Sequence, residues 1–482
     1  MKNGQLTITK ITHAQFPHLI YFLLFIFHCS LLIVSCAPTP YSLFPTPNTT
    51  SPFNTFQDIP GVTAEEIAAI EALQKKDGAL IFGGNLTTEL FLTEDGEVNG
   101  FTALFCEWLT ELFSIPFQPE IYVWNDMLDK FNDGKVDFIG SLTATEDRMK
   151  IYYMTDTIAE RQFKMMRLRG SHALDQIAQE RLPRYAFLEG SNIANTVASV
   201  TESGTYETIR VSDIEDAYQA LKNGDADAFI GGSVTVDFFI ASDVYTEDFF
   251  PLIFSPVSMA TANPELKPII SVVDKALHNG AMPYLNHLHN QGYEAYKKMA
   301  FLSQLSMEER AYLQNSSTVP IVYQYFNYPI TFYNPYEKKW EGFALDIIKE
   351  IEKLTGLSFQ IVNDENTQWP VMMEMLESGK AHIVPDLVYS PERADRFIWP
   401  ESTFMTDQYA LLSKWSYPNL SINEISYTRV GLIINTAHAE LFRAWFPNAS
   451  YITEYGSTYD AFLAMDKDEV DVVMAGRSRV LA

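Results

Sequence analysis

The chain states one long pattern twice. The string TAEEIAAIEAL around residue 64 returns as SMEERAYLQNS around 306, and GEVNGF ending at Phe101 returns as KKWEGF ending at Phe343. VWNDMLDKFNDGKVDFIGSLTATEDR, ending at Arg148, is matched by QWPVMMEMLESGKAHIVPDLVYSPER, ending at Arg393. AYQALKNGDADAFIGG, from Ala217, is matched by AFLAMDKDEVDVVMAG, from Ala461. The separations (64 to 306, 101 to 343, 148 to 393, 217 to 461) stay between 242 and 245 residues. A period so long and so even means tandem duplication of a whole domain, because solenoid repeats recur every 20 to 50 residues or so. The first copy runs roughly 65 residues past the point that matches Ala482, so the second is expected to stop in mid-domain.

Within one copy, short apolar runs alternate with amphipathic ones. Ala79-Leu80-Ile81-Phe82 reads as a strand, Phe101 to Phe113 as a helix and Gln118 to Val123 as a strand. Asn125 to Phe131 reads as a helix stopped by Asp133-Gly134, and Val136 to Gly140 as a buried strand. A second series opens with a strand at Tyr185 to Leu188, passes Glu189-Gly190-Ser191-Asn192 into a helix, and continues with a helix over Asp213 to Lys222 and a strand at Ala228-Phe229-Ile230. This alternation predicts an α/β fold with parallel sheets covered on both faces. Two series per copy predict two lobes with a cleft between them.

Composition narrows the class. A hydrophobic fraction of 47% with 33 Phe and 25 Tyr suffices for packed cores. The formal charge of −27 excludes nucleic acid as a partner, which needs a basic footprint, and excludes docking on anionic lipid headgroups. The acidity reads as a well-solvated surface.

The N-terminus carries an address. Lys2 and Lys10 precede an apolar run from Leu19 to Ser35, and Ile33-Val34-Ser35 lead into Cys36. A basic start followed by an apolar core reads as an export signal over residues 1–35. The last four residues resemble the bacterial lipobox, which makes Cys36 a lipidation site; the alternative is an uncleaved anchor helix barely long enough to span the bilayer. Either way the rest of the chain is expected outside the cytoplasm, tied to a membrane. Residues 36–61, with six prolines and many Thr and Asn, read as an extended tether. Cys106, in the amphipathic run FTALFCEWLTELF, reads as a buried core residue. His287 and His289, two apart, point to different faces of a helix. No metal and no cofactor is expected.

The order of motifs resembles the periplasmic solute-binding protein family 3, the amino-acid-binding type with the Venus flytrap fold. It runs from a short strand through G-x-x-x-GF, helix, strand, Trp, helix, a G-K turn and an Arg, then through a hinge to a second βα series ending in G-x-x-D-A. The TAEE and SMEE leaders look like those of tandem flytrap sensor regions in bacterial hybrid histidine kinases. The resemblance covers about residues 62 to 482. It implies two tandem bilobal domains of periplasmic-binding-protein type II, 62–303 and 304–482, the second lacking its C-terminal part.

A small carboxylate held between lobes calls for a cation, and Arg supplies a planar fork that matches two oxygens. By the resemblance, Arg148 falls on the family's carboxylate-binding arginine, with Ser141 and Thr143 as the hydroxyls beside it. Arg393 takes that role in the second copy, where Asp386 and Val388 replace the hydroxyls and Asp386 would neutralise the arginine. Each arginine has a structural alternative, an ion pair with adjacent acids. Ser191 and Thr436 fall where a helix N-terminus faces the ligand and favours an anion; ordinary helix capping is the alternative. The aromatic ligand platform falls on Phe91, and in the second copy on Ile330 flanked by Tyr328 and Phe332, residues that equally suit a core. The acid that receives a ligand ammonium is missing, with Gly232 and Gly476 in its place. A free amine would there lose water without gaining a counter-charge.

Three functions follow from the resemblance. The favoured one is the extracytoplasmic sensor region of a membrane-anchored receptor, with a kinase or cyclase domain in cis beyond residue 482. It would bind a small carboxylate or amino-acid-like solute by cleft closure. The alternative is a solute-binding lipoprotein serving an ABC permease. An enzyme is disfavoured, because the chain shows no nucleophile elbow, metal set or second catalytic domain.

Overall fold

The computed structural model describes residues 7–10, 50–235, 243–315, 318–391, 393–400 and 402–478. The apolar run Leu19 to Ser35, Cys36 and the tether as far as residue 49 lie outside the described residues. The chain divides into two units, Pro40–Gln304 and Leu305–Ala482, the latter together with Met1–Thr39. No helix among the described residues is long and apolar enough to cross a membrane.

The first unit is built on β1 (Leu80–Gly84), β2 (Phe117–Ile121), β3 (Phe138–Leu142), β4 (Tyr153–Leu168), β5 (Arg184–Leu188), β6 (Glu207–Val211), β7 (Ala228–Gly232), β8 (Val244–Asp248) and β9 (Phe254–Thr261). They run in the order β2-β1-β3-β9-β4-β7-β5-β6, with β8 on β4. As the alternation predicts, β1 is parallel to β2 and β3, and β5 is parallel to β6 and β7. The crossing strands are antiparallel. The first part of β4 pairs with β9 from Tyr153 to Gln162, and the next part pairs with β7 from Phe163 to Met166. One continuous strand therefore belongs to both lobes.

Helices cover these sheets. In the first lobe, α1 (Ala64–Leu73), α2 (Phe101–Phe113), α6 (Lys267–Ala276) and α7 (Met282–Gln304) enclose a core around Phe82, Phe105, Trp108, Phe113 and Phe138. Its other face carries α3 (Trp124–Asn132) over Met127, Phe131 and Ile139. In the second lobe, α4 (Ile193–Val200) and α5 (Ile214–Asn223) cover the cores around Phe187 and Phe229. Cys106 is buried, and burial pushes its thiol pKa well up. The leader TAEE closes a capping box in which Thr63 and Glu66 satisfy each other's backbone N–H, and Glu66 also reaches Lys275 on α6.

The expected tether is corrected over its last eleven residues. Phe56 and Ile59 are buried in the first-lobe core, Phe56 stacks on Phe113 at 5.8 Å, and Trp108 Nε1 donates to Ser51 Oγ at 3.0 Å. Composition drew attention to the prolines, whereas the three apolar side chains Phe53, Phe56 and Ile59 decide where the segment goes.

The second unit repeats the plan in shorter form. It opens with α8 (Met307–Asn315), and its first lobe holds β10 (Thr318–Ile321) parallel to β11 (Ser358–Ile361), with α9 (Phe343–Thr355) and α10 (Trp369–Glu377). The counterpart of β3 is reduced to a single bridge between Ile321 and Ile383. In the first unit β3 lies between β1 and β9, and no described strand takes the place of β9 here. The second lobe keeps four of the strands: β12 (Tyr409–Ser413), β15 (Val472–Gly476), β13 (Val430–Ile433) and β14 (Ile452–Tyr455) lie in that order, with α11 (Ala437–Trp445) and α12 (Thr458–Asp466), and no described strand takes the place of β8. Strand Thr7–Lys10 lies parallel to the outer edge of β12.

Candidate functional site

In the first unit a cavity of about 300 Å³ opens between the lobes. The ends of β1 and β3 and the start of α3 form one wall, and the turn before α4 together with the end of β7 forms the other. Arg148 sits on the one-turn helix Glu146–Met149, whose start is capped by Thr145. Its Nη1 donates to the Thr143 carbonyl at 3.0 Å in the first lobe, and its Nη2 donates to the Gly190 carbonyl at 2.7 Å in the second. Trp124 makes a second bridge, Nε1 donating to the Glu189 carbonyl at 2.8 Å. A third runs from the Thr88 amide to the Val234 carbonyl at 3.1 Å.

No carboxylate pairs with Arg148 among the described residues, and Asp147 instead pairs with Lys150 at 2.7 Å. Burial lowers the arginine's pKa from its ordinary value, yet it stays cationic. Ser141, Thr143 and Ser191 all line the cavity. The Thr143 hydroxyl lies 3.3 Å from that of Ser255, and Ser191 Oγ accepts from the Ile193 amide at 3.3 Å. Phe91 is not brought to the cavity: it is 2% exposed and packs edge-on against Tyr296 at 5.1 Å. Its position on a core-facing pleat corrects the expected ligand platform at this residue.

A buried charge cluster that no local motif announces lies on the cavity floor. Glu89, 4% exposed, lies 2.5 Å from Arg161 Nη2 and 3.2 Å from His289 Nε2. Arg161 also fills the space over Gly232. A Cβ added to that glycine would stand 3.6 Å from Arg161 Cδ. Where the family's ammonium acceptor is expected, this cavity presents the stem of an arginine.

The second unit repeats the tryptophan and arginine bridges. Trp369 Nε1 donates to the Asn435 carbonyl at 2.7 Å, and Arg393 Nη2 donates to the same carbonyl at 2.7 Å. Here, however, the arginine has a carboxylate. Arg393 is 3% exposed, and Glu440 Oε1 accepts from its Nε at 3.1 Å and from its Nη2 at 2.8 Å. Its Nη1 is buried without a partner in the described structure. Asp386, the expected neutraliser, instead accepts from Asn327 and from Thr331 Oγ1. Thr436 caps α11, its Oγ1 accepting from the Ala439 amide at 3.3 Å, and also faces the cleft. Tyr328 and Phe332 pack against each other with tilted rings, centroids 5.1 Å apart, and do not line this cleft, whereas Ile330 does. Glu89, Arg161, His289 and Glu440 were all missed. The one usable signal was that Glu440 has no acidic counterpart in the first copy.

The described residues hold no group of His, Cys, Asp and Glu suited to a metal. The profile of the bacterial extracellular solute-binding proteins, family 3, matches residues 87–278 and, over a shorter span, 320–443. No curated protein sequence matches the chain. Similar solved structures include one described as VC protein, with 15% identity over 84% of this chain and 87% of that one and a TM-score of 0.47. The periplasmic domain of BvgS from B. pertussis shows 16% identity over 86% of this chain and 80% of that one, with a TM-score of 0.37. The amino acid ABC transporter substrate-binding protein AbpA from Streptococcus pneumoniae, bound to L-arginine, shows 15% identity over 47% of this chain and 98% of that one, with a TM-score of 0.39. With more than half of its length matched, the chain belongs to the bacterial extracellular solute-binding proteins, family 3.

Proposed function

We propose that the first unit holds a small carboxylate solute between its lobes, and that the chain is the extracytoplasmic sensing region of a membrane-anchored receptor which reports closure of this cleft. One observation carries the solute class. Arg148 is a partly buried cation on the cavity wall with no carboxylate partner among the described residues, and two of its five N–H groups already bond one lobe each. A solute carboxylate on the remaining donors would supply the missing counter-charge and strengthen both bridges, so it favours the closed state. Arg161 over Gly232 disfavours a free ammonium there, so amine-free carboxylates are the preferred class.

The sensor reading draws on the duplication, since a carrier that delivers solute needs a single binding unit. Membership of a solute-binding family supports a second reading, a binding protein serving an ABC permease. Both make the chain a binder rather than a catalyst. Thermal-shift screening of the full chain against paired carboxylates, with and without an α-amine, tests the solute class. Amine-free members should raise the first-unit transition more. A screen in which only amino acids shift it would overturn the proposal.

A further inference from the structure

We propose that the second cleft is closed by the protein's own carboxylate. Glu440 occupies on Arg393 the place that a solute carboxylate would take, so the second unit shuts without solute and does not read the carboxylates offered to the first. This goes beyond the function proposed for the first unit, and its test does not depend on that reading.

The two units supply an internal comparison. Arg148 and Arg393 each donate from Nη2, at 2.7 Å, to the carbonyl of the residue 42 positions further along, Gly190 and Asn435. Both acceptor residues are left-handed, with φ of 73° and 57°. Five positions beyond that carbonyl stand Asn195 in the first unit and Glu440 in the second. Asn195 is exposed, and its amide turns back to Asn192 at 3.1 Å. Glu440, on the first turn of α11, reaches across to the first lobe. There it also accepts from Ser390 Oγ at 2.9 Å through its other oxygen. The carboxylate is thus held by three donors of one lobe while its helix belongs to the other.

The opposite wall differs in the same sense. Phe163 pairs with Gly232 in the first unit, and Tyr409 pairs with Gly476 in the second. Two residues before each paired aromatic stand Arg161 and Asp407, each lying over its glycine. The Asp407 carboxylate is fixed by the Ser478 hydroxyl at 2.7 Å. A carboxylate entering the second cleft would therefore meet an arginine already neutralised and an acid on the far wall. It would also compete with an intramolecular carboxylate whose effective concentration exceeds that of any dilute solute.

Hydrogen exchange read by mass spectrometry on the full chain tests this, using peptides within 381–396 and 433–446. In the wild type their protection should be the same with and without acetate. Glu440→Gln keeps shape but loses charge, and both segments should exchange about tenfold faster as the lobes part. Glu440→Ala should loosen them similarly, and sodium acetate in the tens of millimolar, but not sodium chloride, should restore protection. Arg393→Met with Glu440→Met leaves no lone buried charge. Strands β13 and β15 should stay protected in that variant while the two reporter segments loosen. The proposal is overturned by unchanged exchange in the variants, by an Ala variant that is loosened yet blind to acetate, or by wild-type protection that rises with acetate.

Discussion

The Glu89 carboxylate sits between Arg161 Nη2 at 2.5 Å and His289 Nε2 at 3.2 Å, joining the first lobe, the crossing strand β4 and helix α7 at one buried point. Burial alone would raise the carboxyl pKa; the charge of Arg161 and the bond from His289 outweigh it and hold it down to about 2, against an ordinary 4.5. Because the folded pKa lies below the unfolded one, the stabilisation is fully present above about pH 4.5 and is lost as pH falls toward 2. Urea unfolding of the first unit at a series of pH values should show this loss. Glu89→Gln should flatten that part of the profile and cost roughly 3 kcal/mol at neutral pH, because it leaves Arg161 buried without its counter-charge. An unchanged acid limb in the variant would show that the cluster does not set acid stability.

Arg148 offers a cleaner separation of binding from folding. Arg148→Lys keeps the charge but loses the fork, so affinity for a carboxylate solute should fall by about 2 kcal/mol, roughly 30-fold. The melting temperature without solute should fall only slightly, because the arginine's partners Thr143 and Gly190 are carbonyls at the edge of a cavity rather than a buried acid. Calorimetric titration alongside a solute-free melt distinguishes the two effects. A large loss of solute-free stability with unchanged affinity would make Arg148 structural.

Trp124 bridges the lobes through one hydrogen bond to the Glu189 carbonyl. Trp124→Phe keeps most of the apolar contact and removes the donor, which should cost about 1 kcal/mol of closure and so about fivefold in solute affinity. Small-angle scattering without solute should show a larger radius of gyration for the variant, as the open population grows. Equal affinity and equal dimensions would mean that the bond contributes nothing to closure.

What the sequence made legible follows from what is local. The 3.6-residue period of FTALFCEWLTELF is written in consecutive residues, and Phe101–Phe113 forms that helix with Cys106 inside. The duplication was legible because both copies must solve the same packing problem. The charge partners were not, because Arg161 meets Glu89 across 72 residues and Arg393 meets Glu440 across 47. Nothing in a local pattern says which acid reaches which base. Phe91 was misread for a related reason: a strand alternates faces every residue, so a two-residue strand such as Phe91–Leu92 gives no period from which to tell core from cleft.

The repeated G-F step has a steric origin that can be tested. Gly100 has φ of 110° and Gly342 has φ of 125°, each just before the first residue of its helix. A Cβ on Gly100 would fall 2.5 Å from the Glu89 carbonyl oxygen, and one on Gly342 would collide with the carbonyl of Ile330. Those same carbonyls accept the Thr102 amide at 2.9 Å and the Ala344 amide at 3.1 Å, so the glycine lets the helix start dock directly on the turn that holds Glu89 or Ile330. Gly100→Ala should therefore cost both the strain of a glycine-only conformation and the displacement of Glu89, about 3 kcal/mol or more. Gly96→Ala is the control, since Gly96 also has positive φ but nothing lies within 4 Å of its added Cβ. Its cost should be confined to about 1 kcal/mol. Urea unfolding of the two variants gives the comparison directly. Equal costs would show that backbone conformation alone selects glycine, and a markedly larger cost at Gly100 would show that the close approach to Glu89 does.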